Sequence, residues 1–271
     1  SPAPYLISEH HNAKVRPISY RDLIVMTSNT SSTAPGSAAT NVPVTTVGIA
    51  GGGQLAQMML PAAAALGLRV VVLDPDAACS SASPADGVVL GSFDSEPALR
   101  ALAEQCDVIT FEIEKINVQA LRALQTDGYH VRPSPNVLAV IQDKLVQKRF
   151  LREHGIATSA FESFAAGSQF SHSLPCVWKA RRDGYDGRGV AVLRSAADVA
   201  ALPASPALIE ALVDIEIELA VMVARDVDGA LEVYPVVEII MDDTAHVMDS
   251  LIAPAAVAQE VIEQCRSEEH T

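Results

Sequence analysis

Lys179 stands at the end of a short apolar run, Cys176–Trp178. After it come Ala180-Arg181-Arg182-Asp183-Gly184-Tyr185-Asp186-Gly187-Arg188-Gly189 and a second apolar run, Val190–Leu193. A lysine at a strand end, a glycine loop and a returning strand together can hold polyphosphate. Gly184, Gly187 and Gly189 let backbone N–H groups approach phosphate oxygens, and Lys179 and Arg188 supply countercharge. Tyr185 and Asp186 add groups able to orient a second substrate. The same spacing also fits an ordinary glycine hairpin with solvated charges, because short glycine loops carry little specificity alone.

Three further places could carry chemistry. Gly51-Gly52-Gly53-Gln54-Leu55-Ala56 nearly satisfies the G-x-G-x-x-A dinucleotide pattern, with Asp74 ending the next apolar run. Its helix N-terminus would favour an anion, and a purely structural turn is the plain alternative. Glu112 and Glu114 follow the run Val108–Phe111, at a strand end where ligands bind or where two carboxylates are simply hydrated. Glu216 and Glu218 share one face of an alternating segment, which needs no ligand to explain it, and an isolated Lys144 at a helix start is ordinarily a solvated charge.

These residues need a scaffold, and its pattern is readable. Val44–Ile49 and Arg69–Leu73 read as strands flanking a helix over Gln54–Leu66 that Gly67 ends. Ser95 caps a helix over Pro97–Cys106, Val108–Phe111 is a strand and Val118–Leu124 a helix. This alternation predicts an α/β, Rossmann-like parallel sheet over residues 44–135 with helices on its faces. Pro133-Ser134-Pro135 marks a boundary, and Gln142–His154 reads as a helix stopped by Gly155. Beyond it, strands Cys176–Ala180, Val190–Leu193, Leu208–Leu212, Glu216–Arg225 and Ala230–Ile240, with a capping box at Ser195 and Asp198, predict an α+β region over residues 136–265. Asp226-Val227-Asp228-Gly229 is a hairpin signal.

The chain has 271 residues, 49% hydrophobic and 19% charged, enough for one large domain or two modest ones with real cores. Net charge is 19 − 33 = −14. That balance argues against nucleic acid and anionic membranes as partners, but not against phosphate ligands, which need only local positive charge. The four cysteines, Cys79, Cys106, Cys176 and Cys265, show no zinc or disulfide spacing, and reduced cytoplasmic thiols are expected. No apolar run approaches the length of a membrane span.

Several ordered motifs carry a family resemblance from about Thr46 to Pro254: Gly51-Gly52-Gly53-Gln54-Leu55, Ile109-Thr110-Phe111-Glu112-Ile113-Glu114, Pro133-Ser134-Pro135, Gln142-Asp143-Lys144 and Gly184–Gly189. The chain resembles the carboxyaminoimidazole ribonucleotide synthases, ATP-grasp ligases of purine biosynthesis, and Gly91-Ser92-Phe93 and Ala103-Glu104-Gln105-Cys106-Asp107 resemble the fungal-type phosphoribosylaminoimidazole carboxylases. The resemblance implies a pre-ATP-grasp domain followed by an incomplete ATP-grasp domain, and ATP-dependent carboxylation of aminoimidazole ribonucleotide with bicarbonate. It implies ATP contacts from Lys144, Lys179, Gly184, Gly187, Gly189, Glu210, Val213 and Glu218, with Glu210-Ala211-Leu212-Val213 as the hinge that reads adenine. Ribonucleotide contacts are implied for Gly53, Gln54 and Glu112, and Tyr185, Asp186 and Arg188 would line the catalytic, ribonucleotide side. ATP, Mg²⁺, bicarbonate and aminoimidazole ribonucleotide are the implied ligands, and the complete protein would be a homodimer.

The chain departs from the family pattern where Ala56-Gln57 replaces Gly-Arg, Ala211 replaces lysine, Met241 replaces histidine and Asp183 replaces the first loop glycine. No segment after Pro254 matches the Asn-Glu motif that supplies magnesium ligands, so no metal ligand is assigned within the chain. Residues 1–43 have the composition of a disordered segment, with Met26 a possible natural start. Residues 266–271 resemble a translated sequencing adaptor, an artefactual tail, so the natural protein is expected to continue past about Cys265; a genuine polar tail is the alternative. The rival readings are another ATP-grasp ligase, an NAD-binding oxidoreductase resting on the Gly51 turn and Asp74, and an inactive fragment.

Overall fold

The computed structural model describes residues 45–184, 189–226, 228–242 and 247–268. The expectations for residues 1–43 and for Tyr185, Asp186, Gly187 and Arg188 lie outside the described residues.

The valine-rich run of residues 69–74 shows why the first part folds as it does. It forms β2 (Arg69–Asp74), between β1 (Thr46–Ala50) and the edge strand β3 (Gly87–Leu90), and β4 (Val108–Phe111) lies beyond β1. The order is β3-β2-β1-β4, all parallel. Alternation sends Val70 and Val72 to one face, where they pack with Ile49 against Ala56 and Leu60 of α1 (Gln54–Ala65). Val71 and Leu73 face the other way, into a core with Leu99 and Leu102 of α2 (Glu96–Ala103), Leu121 and Leu124 of α3 (Val118–Thr126) and Leu138 of α4 (Pro135–Ile141). A sheet buried on both faces needs such continuous apolar strands. Ala50 stands opposite Leu73 on one side and Phe111 on the other, so the carboxyl ends of β1, β2 and β4 align. That register sets Gly51–Gly53, Asp74 and Glu112 at one edge, as the alternating pattern predicts.

The second part begins with α5 (Lys144–Glu153) and an antiparallel sheet of order β5-β8-β6-β7: β5 (Phe161–Phe164), β6 (Cys176–Ala180), β7 (Val190–Leu193) and β8 (Ala207–Ala211). One face buries Cys176, Trp178, Leu193 and Ile209 with Phe164 and Phe170. A short helix, α6 (Ala196–Ala200), carries the predicted capping box of Ser195 and Asp198.

The expected single strands Glu216–Arg225 and Ala230–Ile240 are each two. The first divides into β9 (Glu218–Ala220) and β10 (Val223–Arg225), the second into β11 (Leu231–Val233) and β12 (Val237–Asp242). β10 pairs with β11 and β9 with β12. Pro235 lies between β11 and β12 and has no N–H for a ladder, so the long hairpin breaks there. The chain continues through β13 (Val247–Ile252), paired with β12, and α7 (Gln259–Glu268).

Asp143 ties α5 to the end of β6. It caps the helix by accepting from the Leu145 and Val146 N–H groups, and it binds Arg181 twice, Nε at 3.0 Å and Nη2 at 2.6 Å. Arg182 adds a contact at 3.5 Å. Burial alone would raise the Asp143 pKa, but the Arg181 hydrogen bonds and charge and the two helix N–H groups outweigh it and hold it below the usual aspartate value. The resulting stability is complete above the ordinary pKa of about 3.9 and is lost only as pH falls through the lower folded value. Asp143→Asn should therefore cost about 3 kcal/mol at pH 7, the low end for breaking a buried pair because Arg181 stays partly hydrated. Urea unfolding measures this, and the loss should be constant from pH 5 to 8.

Candidate functional site

Gly51 takes φ +116°, and a Cβ there would lie 2.5 Å from both Cγ and Oε1 of Glu112. The turn thus needs glycine both for its backbone and for the close approach of that side chain. The next two residues face carboxylates. Gly52 N–H donates to Asp74 Oδ2 at 3.0 Å, and the Glu112 carboxylate lies against Gly53, whose N–H favours the ionised form. A Cβ on Gly52 would also meet Cys79 Sγ at 2.6 Å. The sequence suggests an anion at this helix start; the chain's own carboxylates take the Gly52 and Gly53 N–H groups of the turn, while no side chain caps α1. Burial is the main reason the Glu112 pKa is raised, with the charges of Asp74 and Glu114 adding to it and the Gly53 N–H opposing. Glu112 is half-buried, and Gln54, on the first turn of α1, is exposed.

The second cluster lies on the face of the antiparallel sheet opposite Trp178. Glu210, on β8, is only 4% exposed. Its Oε2 accepts from Ser159 Oγ at 2.8 Å and from Lys179 Nζ, on β6, at 3.0 Å. Lys148 Nζ, on α5, lies 3.2 Å from the same oxygen. Lys148 also donates to Thr158 and Ser159 hydroxyls, both at 2.7 Å. Glu210 Oε1 is buried with no partner among the described residues. Burial pushes the Glu210 pKa up, but the hydrogen bonds from Ser159 and Lys179 and the two lysine charges outweigh it, so the pKa lies below the usual glutamate value.

The glycine loop opens beside this cluster. Ala180 N–H donates to Gly189 O at 2.8 Å, and a Cβ on Gly189 would come 3.1 Å from Gly184 Cα, so the loop's two ends are pinched together. Asp183 has φ +63°, a left-handed conformation that explains why glycine suits this position, and Lys115 Nζ holds its carboxylate at 3.1 Å. Lys144, the first residue of α5, donates its N–H to Arg181 O at 2.9 Å. In the hinge segment the Ala211 N–H is already bonded to Ala160 O, so backbone contact with a base there falls to the Ala211 carbonyl or to Val213, which is 55% exposed. Glu218 sits half-buried on β9 opposite Ile239.

The structure thus brings Lys179 and Glu210 into contact, Gly184 beside Gly189, and Gly53 beside Glu112. Among the described residues, Lys144 and Glu218 form no ion pair with Lys179 or Glu210. Sequence reasoning missed Lys148 and Ser159. The available signal was that Lys148 falls four residues after Lys144, on the same helix face. Among the described residues no group of three His, Cys, Asp or Glu is placed to hold a metal ion, and no step is routed through one.

Comparison with known proteins agrees with this organisation. Residues 44–142 match the family described as the ribonucleotide synthetase preATP-grasp domain, and residues 149–268 match the ATP-grasp domain. The N5-carboxyaminoimidazole ribonucleotide synthase of Synechococcus elongatus is 40% identical over 79% of this chain and 56% of its own length. The phosphoribosylaminoimidazole carboxylase of Saccharomyces cerevisiae is 36% identical over 80% of this chain and 40% of its own. A crystal structure of an ADP complex of N5-carboxyaminoimidazole ribonucleotide synthetase superposes with a TM-score of 0.78 at 32% identity, covering 84% of this chain and 62% of that one. The chain therefore spans only about half the length of the curated relatives it matches. With a parallel sheet of order β3-β2-β1-β4, a glycine loop at the end of β6 and these matches in one order, the chain carries a ribonucleotide synthetase preATP-grasp domain followed by an ATP-grasp domain, and is similar over most of its length to the N5-carboxyaminoimidazole ribonucleotide synthases.

Proposed function

We propose that the protein uses ATP to activate bicarbonate and carboxylates aminoimidazole ribonucleotide in purine biosynthesis. The observation that carries this reading is the occupation of the Gly52–Gly53 turn by the Asp74 and Glu112 carboxylates. A dinucleotide pyrophosphate needs those N–H groups free, and it would meet negative charge instead. A ligand that offers N–H and O–H donors, as an aminoimidazole riboside does, suits a half-buried carboxylate. The NAD-dependent oxidoreductase is thereby disfavoured.

Lys179, Lys144 and the glycine loop would neutralise the polyphosphate of ATP, with Glu210, Val213 and Glu218 on the base and ribose side. ATP would phosphorylate bicarbonate to carboxyphosphate, and the carbon dioxide released from it would be captured by the exocyclic amine. Closure of the loop carrying Tyr185, Asp186 and Arg188 would exclude water from that labile intermediate. A domain of residues 44–135 would serve the ribonucleotide and residues 136–265 the nucleotide. Cytoplasmic location and a homodimer belong to the same proposal. The described residues contain no helix long and apolar enough to cross a membrane.

Two outcomes test this assignment. Lys179→Ala should weaken ATP binding by about 1.5–3 kcal/mol, the range for a hydrogen bond to a charged group, and leave aminoimidazole ribonucleotide affinity nearly unchanged. Unchanged ATP affinity in calorimetry would make Lys179 a structural partner of Glu210 only. For Glu112, the raised pKa means that the accepting carboxylate is lost as pH falls through that value. Aminoimidazole ribonucleotide affinity should therefore fall on acidification, and Glu112→Gln should weaken binding at pH 7.5 and abolish that acid-side dependence. Equal affinities for wild type and variant across pH 5–8 would remove Glu112 from the site.

A further inference from the structure

Lys148 and Lys179 meet the same carboxylate oxygen but are built differently. An ammonium has three donors. Lys148 donates to the Thr158 and Ser159 hydroxyls and forms an ion pair with Glu210 at 3.2 Å, so three partners within the protein hold it, and its side chain is 16% exposed. Among the described residues Lys179 has one acceptor, Glu210, and its side chain is 31% exposed. One lysine is therefore fixed, and the other keeps donors to spare at the mouth of the glycine loop.

This matters because Glu210 cannot easily be left without a cation. An uncompensated carboxylate at 4% exposure carries a desolvation cost of several kcal/mol and relieves it by taking up a proton. We propose that Lys148 is a positioning residue: the permanent counter-ion of Glu210, which lets Lys179 leave that carboxylate for the polyphosphate of a nucleotide without Glu210 being protonated. The inference rests on the nucleotide reading of Lys179 given above. Among the described residues, the groups that face Glu210 are Lys148 from α5, Lys179 from β6 and Ser159 from the segment before β5. Glu162, paired in register with Ile209, belongs to the opposite face of the sheet, together with its partner His172.

Without Lys148, the equilibrium changes in a defined way. Lys179 moves to phosphate, the Glu210 carboxylate has no cation, and it binds one proton from solvent. Nucleotide binding then takes up a proton, and affinity falls as pH rises. A merely structural lysine would change affinity or stability without that linkage.

The test has two arms on the full chain. In the first, ADP and ATP are titrated calorimetrically in buffers of different ionisation enthalpy. Wild type and Lys148→Arg should take up essentially no proton, and Lys148→Met close to one per nucleotide at pH 6–7. Proton uptake near zero in a Lys148→Met variant that still binds would overturn the proposal. The second arm needs no nucleotide: the Glu210 carboxyl ¹³C shift is followed with pH in Lys179→Met, which mimics a departed Lys179, and in the Lys148→Met/Lys179→Met double variant. The single variant should keep Glu210 ionised at neutral pH, and the double variant should titrate at least about one pH unit higher. Identical titrations would overturn the counter-ion role. A wild-type chain that bound neither nucleotide would refute the nucleotide reading itself, and the carboxyl titration would still decide what Lys148 does for Glu210.

Discussion

Glu210 is a carboxylate placed where water cannot reach it, and much of the second half of the molecule is organised around keeping it charged. The strand that carries it needs β6 alongside to present Lys179, α5 packed across the face to present Lys148, and the turn into β5 to present Ser159. Remove any one of these elements and a buried negative charge loses a partner. A similar constraint recurs at Asp143, where a helix cap and two arginines from the end of β6 converge on one carboxylate. Together the two carboxylates fix α5 and β6 relative to each other, and so fix the base of the glycine loop.

The first half uses carboxylates in the opposite sense. Among the described residues, Asp74 and Glu112 form no ion pair with a cation and are held by backbone N–H groups at the glycine turn. The turn that in a dinucleotide-binding protein would offer donors to phosphate here presents acceptors. On the proposed function, one architecture, a parallel sheet with ligands at its carboxyl edge, would thus serve a different ligand chemistry through two side chains.

How much of this was readable depends on how local the cause is. β1, β2, β4, β6 and β7 come from apolar runs whose neighbours in sequence end them, and the Ser95 and Ser195 caps are set by residues within one turn. β3 and β5 are not read from the sequence because neither has a fully buried residue to mark a core face, and pairing with β2 or β8 decides them rather than propensity. α4 was hidden behind Pro133-Ser134-Pro135, which marks the boundary but also caps and starts a seven-residue helix. The split of the two long strands follows from Pro235, a signal in plain view that was not used. In the site, Lys179 could be read from its strand and loop. Lys148 could not, because its meaning lies in Glu210, 62 residues away. The occupied donors at Gly52 and Gly53 likewise depend on register between β1, β2 and β4, which no glycine pattern contains.

The central claim is that the glycine turn and its carboxylates form a site for an amine- and hydroxyl-bearing ribonucleotide and not for a dinucleotide. Parallel calorimetric titration of the chain at pH 7.5 with aminoimidazole ribonucleotide and with NADH addresses it directly. The account predicts saturable one-to-one heat with the ribonucleotide and none with NADH. Saturable binding of NADH that aminoimidazole ribonucleotide does not displace would contradict it.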